Sequence, residues 1–467
     1  LENFHGITTP SLDADHIEAL LKRIDPGSVA AEILRIRSEA GSSNVKKLMA
    51  FRERTCPDGR ARGIAIYSKA QTGRWAGEGV QAQNLASAGP AVVRSECCGS
   101  IRAKALTYCP YCVIGDPAAT KADWGPEAVD RVIADAKAGT IFDLWPDVIG
   151  AITGCLRGLF IAADGCELIS SDYTAIEAVV LACLAGEEWR IEVFRTHGKI
   201  YEMSAAKISG VPFEEILAHK KNTGDHHPLR KTIGKVAELA SGYAGWIGAW
   251  CNFGADAFMS EPEIKAAILK WREESPKIVE FWGGQFRRGS RWGEWIPELF
   301  GLEGMAIAAV QNPGRWFMVG RVGYYSTGDV LYCGLPSGRS IAYQRPQLDQ
   351  VIDNLGRHAW QLSYEGWNSD SAKGPVGWFR KTLYGGLMCE NIVQAVARDI
   401  MAHGLRNVEA AGYYVVMHVH DEIVSEVPAG FGTVEEFERL MCTLPNWCKD
   451  WPIKAAGGWR GRRYRKE

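Results

Sequence analysis

The stretch Tyr413-Tyr414-Val415-Val416-Met417-His418-Val419-His420-Asp421-Glu422-Ile423-Val424-Ser425-Glu426-Val427 sets two apolar runs on either side of a short acidic corner. That pattern predicts strand, turn and strand, with Asp421 in the turn. Far upstream, Glu167-Leu168-Ile169-Ser170 predicts another strand, which ends on Asp172. Strand ends and turns let a carboxylate face solvent while its backbone is held rigidly. Two carboxylates brought together repel, so their shared site is a natural place for divalent magnesium. A pair of such ions suits phosphoryl transfer, one activating the attacking oxygen and the other steadying the leaving phosphate. Taken singly, an aspartate at such a position is more often a turn former than a ligand, and spacing alone does not decide.

Between the two aspartates lies a helical pattern in which Lys231, Lys235, Leu239 and Tyr243 recur at intervals of four. On an α-helix such residues line one face. With Arg230 just before them, the lysines form a cationic stripe suited to a triphosphate. Leu239 and the flat ring of Tyr243 suit stacking on a base pair. The plainer alternative is a solvated basic helix start running into a core-packing end.

The rest of the composition sets bounds. The chain has 467 residues, 46% hydrophobic and 23% charged, as expected of a soluble, globular, multidomain protein. No apolar stretch is long enough to cross a bilayer, and no secretory leader opens the chain. The formal charge of -2 means that any nucleic-acid surface must gather its positive groups locally. The clearest basic cluster is the tail Arg460, Arg462, Arg463, Arg465 and Lys466, interleaved with Trp459 and Tyr464. It is either a solvated terminus or a phosphate-holding arm. Thirteen cysteines are expected to be reduced and mostly packed as small apolar side chains.

Along the chain, residues 11 to 55 carry helical spacing, and Pro57-Asp58-Gly59 predicts a turn between strand-like runs that end at Ile66-Tyr67. From about 88 to 145 the composition shifts, with four cysteines and a helical segment near Pro126 to Lys137, as in an inserted module. A helix is expected over Ala175 to Ala185. The middle, up to about 395, reads as helix-rich, interrupted by a hairpin near Val330-Leu331-Tyr332 and Pro336-Ser337-Gly338. A further helix is expected over Glu390 to Ala410.

These residues resemble family A DNA polymerases, meaning bacterial DNA polymerase I and its phage relatives. Asp172-Tyr173-Thr174-Ala175-Ile176-Glu177-Ala178 resembles that family's motif A, Lys231 to Lys235 with Leu239 and Gly242-Tyr243 its motif B, and Val419-His420-Asp421-Glu422 its motif C. Thr72-Gly73-Arg74-Trp75 with Gln83-Asn84, and Glu390-Asn391-Ile392-Val393-Gln394, also match, all in the family's order. The resemblance implies an α+β right-hand polymerase fold with an antiparallel palm sheet, helical fingers and a partial helical thumb. In those terms, 1–52 is a partial thumb, 53–87 palm and thumb-base strands, and 88–145 the inserted cysteine module. Palm with motif A spans 146–186, fingers with motif B and the hairpin 187–389, and palm with motif C and the tail 390–467.

The resemblance also implies roles. Asp172, Asp421 and the carbonyl of Tyr173 would bind two Mg2+ or Mn2+ ions, and Lys235 would hold the triphosphate and protonate the departing pyrophosphate. Tyr243 would test the nascent base pair. Glu177 would lie under the sugar and leave no room for a 2′-hydroxyl. Arg74, Gln83, Asn84, Gln394 and His420 would contact primer–template DNA, with Glu422 beside them and the metals. The partners would be primer–template, dNTPs and accessory replication factors, with the chain a monomer in the cytoplasm, that of the host if phage-encoded. A repair or lesion-bypass polymerase and a non-catalytic DNA-binding relative are the alternatives. The sequence departs from the family in four places. Lys231 holds the slot of a usual arginine, which leaves open whether it or Arg230 binds phosphate. Leu239 replaces Phe or Tyr, Val179 an arginine and Tyr201 a histidine. With Leu1 opening the chain and no Asp-x-Glu exonuclease strand, the rest of a thumb and an exonuclease are expected to lie upstream.

Tyr108-Cys109-Pro110-Tyr111-Cys112 looks like a zinc knuckle, two thiolates gripping one Zn2+ ion. Its other half, Cys97-Cys98, is adjacent rather than spaced, so both can bind only from a bent backbone. Four reduced thiols packed in a small subdomain, or a three-cysteine site completed elsewhere, are the alternatives. Asp225-His226-His227 suits a helix cap better than a metal site, and Arg339 of the hairpin is assigned at most a DNA contact.

Overall fold

The protein is described from a computed structural model over residues 14–465, except 42, 87–88, 117–119, 122–125, 292 and 369–374. The opening of the expected thumb (1–13) and Lys466 therefore lie outside the described residues. Helices Ala14–Leu21, Val29–Gly41 and Ser43–Arg54 follow the helical spacing of the sequence. The strand-like run after Pro57 shortens to Ala65–Ile66, paired antiparallel with Ala76–Gly77.

The centre is an antiparallel sheet of four strands: β1 (Cys166–Tyr173), β2 (Tyr414–Val419), β3 (Glu422–Pro428) and β4 (Ala455–Gly461), in the order β2-β3-β1-β4. Alternation along β1 sends Leu168, Ser170 and Asp172 to one face and Ile169, Ser171 and Tyr173 to the other. Ile169 and Tyr173 enter the main core with Ile423 and Val427. Leu168 joins a second cluster with Val419, Val424, Trp459 and Tyr464. Both faces are therefore covered, and each large apolar side chain so buried contributes about 1.5–3 kcal/mol. Behind β1 run α1 (Ile176–Ala185) and the long α2 (Gly385–Ala410), and α3 (Val434–Met441) lies against the same side. The Tyr173 hydroxyl donates to the Met441 carbonyl at 2.8 Å and pins the end of β1 to α3.

The middle corrects the helix-rich expectation. Helices do fill 188–282, but from Gly284 the chain turns mostly to strand. A two-stranded ribbon precedes the helix Gly301–Gln311, and a six-stranded antiparallel sheet then occupies Trp316 to Thr382. The expected hairpin near 330–338 is one turn of that sheet.

A separate small core gathers Val92, Ile101, Val129, Val132 and Trp145 with Ala151 and Cys155 from beyond residue 145. The C-terminal tail docks rather than dangles. Arg463 pairs with Asp130 at 2.5 Å and donates to the Gly158 carbonyl at 2.7 Å. Arg460 pairs with Glu167 at 2.6 Å, and Tyr464 is fully buried. The phosphate-arm alternative is set aside for Arg460 and Arg463, whose cations are matched within the protein.

Candidate active site

Strand register brings the two acidic motifs together. Asp172 lies directly across from Glu422, and the Tyr173 amide donates to the Asp421 carbonyl at 3.2 Å. Paired antiparallel residues sit about 5.5 Å apart at Cα, and one further residue adds about 3.8 Å. The Asp172 and Asp421 α-carbons are thus no more than about 9 Å apart. The turn between β2 and β3 is tight, with Val419 paired to Glu422, so His420 and Asp421 form it alone. His420 adopts φ 54°, the left-handed geometry that two-residue hairpins demand. Its Nε2 lies 3.0 Å from the Gln83 carbonyl, which ties the turn to the 82–84 segment. Two carboxylates with the Tyr173 carbonyl beside them are an all-oxygen donor set, the kind hard divalent cations take.

Arg74 spans two of the motifs. Its guanidinium lies 2.6 Å from Glu177 and 3.5 Å from Asp421. Glu177 stands in the first turn of α1, where the helix dipole favours an anion. Its other oxygen accepts from the Tyr243 hydroxyl at 3.0 Å. Burial and the Glu177 charge hold the Tyr243 phenol well above its ordinary range, so it stays a donor. The sequence assigned Arg74, Glu177 and Tyr243 to separate tasks, and the structure joins them in one chain of contacts.

Glu422 has a different setting from the DNA contact expected of it. It is 3% exposed, and it accepts from Ser170 Oγ and, at 2.6 Å, from the Tyr464 hydroxyl. Arg157 in turn donates to Tyr464 at 2.8 Å. A carboxylate so enclosed has little surface to offer a duplex, and both of these partners lie within the protein. Ser170, Tyr464 and Arg157 were not singled out from the sequence, because nothing local marks residues that meet only across the sheet.

The basic stripe departs from a regular helix. Arg230–Lys235 is a π-helical turn that passes into the α-helix Val236–Ser241. Gly234 lets this turn lie against the helix Ile200–Ser209, since a Cβ there would stand 1.9 Å from the Tyr201 carbonyl. Lys231, Lys235 and Leu239 are exposed on the surface. Arg230 is not free in the same sense. It pairs with Glu202 at 2.7 Å and stacks over Tyr201 at 5.1 Å. His227 accepts from the Leu229 amide at 3.2 Å, the helix-cap role expected of that pair, and His226 stands near Glu202.

Gln394 donates to Glu390 at 3.1 Å on α2, and Asn84 donates to Gln81 at 3.1 Å. A narrow cleft of about 60 Å³ opens among Arg74, Trp75, Gln83, Arg398, Met401, His418, His420 and Asp421. Arg339, assigned at most a DNA contact, is engaged inside the protein instead. It pairs with Asp399 at 2.9 Å and donates to the Thr72 carbonyl at 2.9 Å.

In the inserted module the thiol sulfurs of Cys97, Cys98, Cys109 and Cys112 all lie within 4.8 Å of one another. The bend needed to aim two adjacent cysteines inward is a tight loop, closed by the Gly99 amide donating to the Ser95 carbonyl at 2.9 Å. Four thiolates at about 2.3 Å from one ion would stand at comparable mutual distances. Beneath the loops, buried Arg102 pairs with Asp116 at 3.0 Å and also reaches Ser95 at 3.2 Å.

The chain is similar to known proteins along nearly its whole length. It is 36% identical over 454 residues to the DNA polymerase of Bacillus phage SP02, which is 97% of this chain and 60% of that protein. DNA polymerase I of Treponema pallidum (strain Nichols) matches over 126 residues at 43% identity, 27% of this chain and 11% of the relative. The thermostable DNA polymerase I of Thermus aquaticus matches over 146 residues at 28% identity, 31% of this chain and 16% of the relative. The chain therefore spans about three-fifths of the phage relative and far less of the bacterial ones. No family model matches it. Among solved structures, the POL domain of Pol1 from M. smegmatis, in complex with DNA primer-template and dNTP, aligns with a TM-score of 0.51 at 16% identity. That alignment covers 98% of this chain and 57% of the other. At that identity the likeness concerns the fold alone, an α+β polymerase domain.

Proposed function

We propose that the chain is a family A DNA polymerase, on its similarity to the phage SP02 DNA polymerase and to DNA polymerase I, and that it extends a primer along a DNA template by adding deoxynucleotides. The observation that carries this reading is the strand register that sets Asp172 across from Glu422, one residue from Asp421. Binding alone needs no pair of rigidly held carboxylates, whereas phosphoryl transfer does.

In this reading Asp172, Asp421 and the Tyr173 carbonyl hold two Mg2+ or Mn2+ ions. Those ions supply charge neutralisation at the reacting phosphate. Lys231 and Lys235, exposed together, bind the triphosphate, and Lys235 delivers a proton to the departing pyrophosphate. With Arg230 engaged by Glu202, Lys231 is the better candidate for the phosphate. Tyr243 and Leu239 meet the incoming base pair, and Glu177 lies under its sugar. Arg74, Gln83, Asn84, Gln394 and His420 face the primer–template, and Glu422 braces Asp172. The sheet and its helices are the palm, 187–389 the fingers, and the cysteine module a structural Zn2+ site. The phage relative favours replication of phage DNA in a host cytoplasm. Among the described residues no helix is long and apolar enough to cross a membrane.

Primer extension by the parent beside Asp172→Ala and Asp421→Ala is the test. Each variant is expected to lose roughly a thousandfold or more in rate while still binding primer–template. Full activity in either variant would remove the carboxylate pair from the mechanism. For the module, zinc analysis of chelator-washed protein is expected to return one ion per chain, and none would leave the cysteines as packed thiols.

A further inference from the structure

The six-stranded sheet has no task in the reading above, yet it grips the segment that carries Arg74. The turn between its strands Val330–Gly334 and Ser340–Ile352 presents Arg339. Arg339 donates to the carbonyls of Thr72 at 2.9 Å and Ala395 at 3.1 Å, and pairs with Asp399 at 2.9 Å. Arg398, 9% exposed, approaches from α2 and donates to the Gly73 carbonyl at 3.0 Å. Asp399 accepts from both arginines, with Arg398 at 3.2 Å, and from Ser337 at 2.5 Å. A second hold comes from Tyr364, whose hydroxyl donates to Gln71 at 3.0 Å. The fit is close: Gly73 has φ +82°, and a Cβ there would stand 2.5 Å from Arg339 Nη1.

Resting on the proposed primer-extension function, we propose that Arg339, Asp399 and Arg398 form a clasp whose task is to position Arg74. Three consecutive residues, Gln71, Thr72 and Gly73, are fixed by side chains of the sheet and of α2. The next residue, Arg74, then projects toward Glu177 and Asp421. A long, flexible guanidinium aimed at a primer terminus gains from such support, because its own rotamers do not fix it. The six-stranded sheet thereby acts on the reaction through a residue it does not contain. Arg339 and Arg398 are positioning residues, with their forks turned to backbone carbonyls and a shared carboxylate.

A double-mutant cycle tests this on the full chain. Arg339→Ala is expected to lower the single-turnover extension rate about 10- to 100-fold in the parent. In an Arg74→Ala background the same change is expected to cost less than about threefold, because the group it positions is gone. Thermal melting checks that the fold survives, and Asp399→Asn carries the same cycle if Arg339→Ala does not fold. Arg339→Lys, which keeps the charge without the fork, is expected to leave most of the rate loss in place. Equal losses in both backgrounds, or recovery by Arg339→Lys, would overturn the clasp and leave the polymerase reading standing. A fully active Arg74→Ala would instead remove the role of Arg74, and the clasp with it.

Discussion

At the scale of single residues, Glu177 and His418 carry the sharpest expectations. Glu177 has two tasks that can be separated, filling space under the sugar and pairing with Arg74 and Tyr243. Glu177→Ala removes both and is expected to raise ribonucleotide incorporation in primer extension by roughly 10- to 100-fold. Glu177→Gln keeps the volume and removes the charge, so discrimination should persist while the extension rate falls. Equal loss of discrimination in both variants would sink the steric reading. His418 is half-buried beside Trp75, ring centroids 4.7 Å apart, and desolvation pushes its pKa down to about 4. The unfolded chain binds that proton near pH 6.5, so the folded state loses stability as pH falls from 6.5 toward 4. Between pH 7 and pH 5 this amounts to about 2 kcal/mol, and His418→Leu should flatten that part of the unfolding curve by a similar amount. Asp172, Asp421 and Glu177 were legible because each stands at a strand end, in a turn or in a helix's first turn, all local features. The choice between Arg230 and Lys231 was not legible, because it depends on Glu202, which lies on another helix.

At the scale of elements, the acidic hairpin was foreseeable from its alternation, whereas the six-stranded sheet was not. Its strands mix exposed tryptophans, glycines and charged residues, and what makes them strands is pairing with neighbours across the sheet. The stripe from Lys231 to Lys235 was expected as plain α-helix. A π turn there packs closely on Ile200–Ser209 at Gly234, a contact that sequence periodicity does not register. Gly234→Ala should therefore be costly. Forcing a methyl against the Tyr201 carbonyl is expected to lower stability by about 1–3 kcal/mol in denaturant unfolding and to shift the two lysines. A neutral outcome would mean that the turn can move away freely. The cysteine module gives the opposite lesson. Its knuckle was readable from Cys109 and Cys112, but only the folded loop brings Cys97 and Cys98 to the same point. If the proposed zinc site is right, Cys109→Ser should release zinc from the protein and expose 88–145 to limited proteolysis while the four-stranded sheet stays protected.

At the scale of the whole molecule, the tail packs on the four-stranded sheet through Arg460 and Glu167 and ties it to the 88–145 segment through Arg463 and Asp130. Tyr464 is the hub: it donates to Glu422, accepts from Arg157, and lies buried with Leu168, Val419 and Trp459. Burial and the Glu422 charge push its phenol well above the ordinary range, so the hydroxyl stays protonated. Tyr464→Phe should destabilise the protein by about 1–3 kcal/mol, because it strips a buried carboxylate of a donor. It should also slow extension through Glu422, and an unchanged unfolding midpoint would argue against that brace. The basic, aromatic composition of the tail was compatible with solvent or with phosphates, and only its partners on Glu167 and Asp130 decided the matter. The sequence by itself determined the elements that need only neighbours along the chain: the acidic hairpin, the strand ending on Asp172, the helices and the cysteine pair at 109 and 112. The tertiary structure alone decided which cations face outward and which are matched, how Glu422 is enclosed, and how a distant sheet holds the Arg74 segment. Backbone patterning is written in short-range sterics and periodicity. The partner of a charged side chain is set by whatever the fold brings within a few ångströms of it, and nothing near that residue in the chain records the choice.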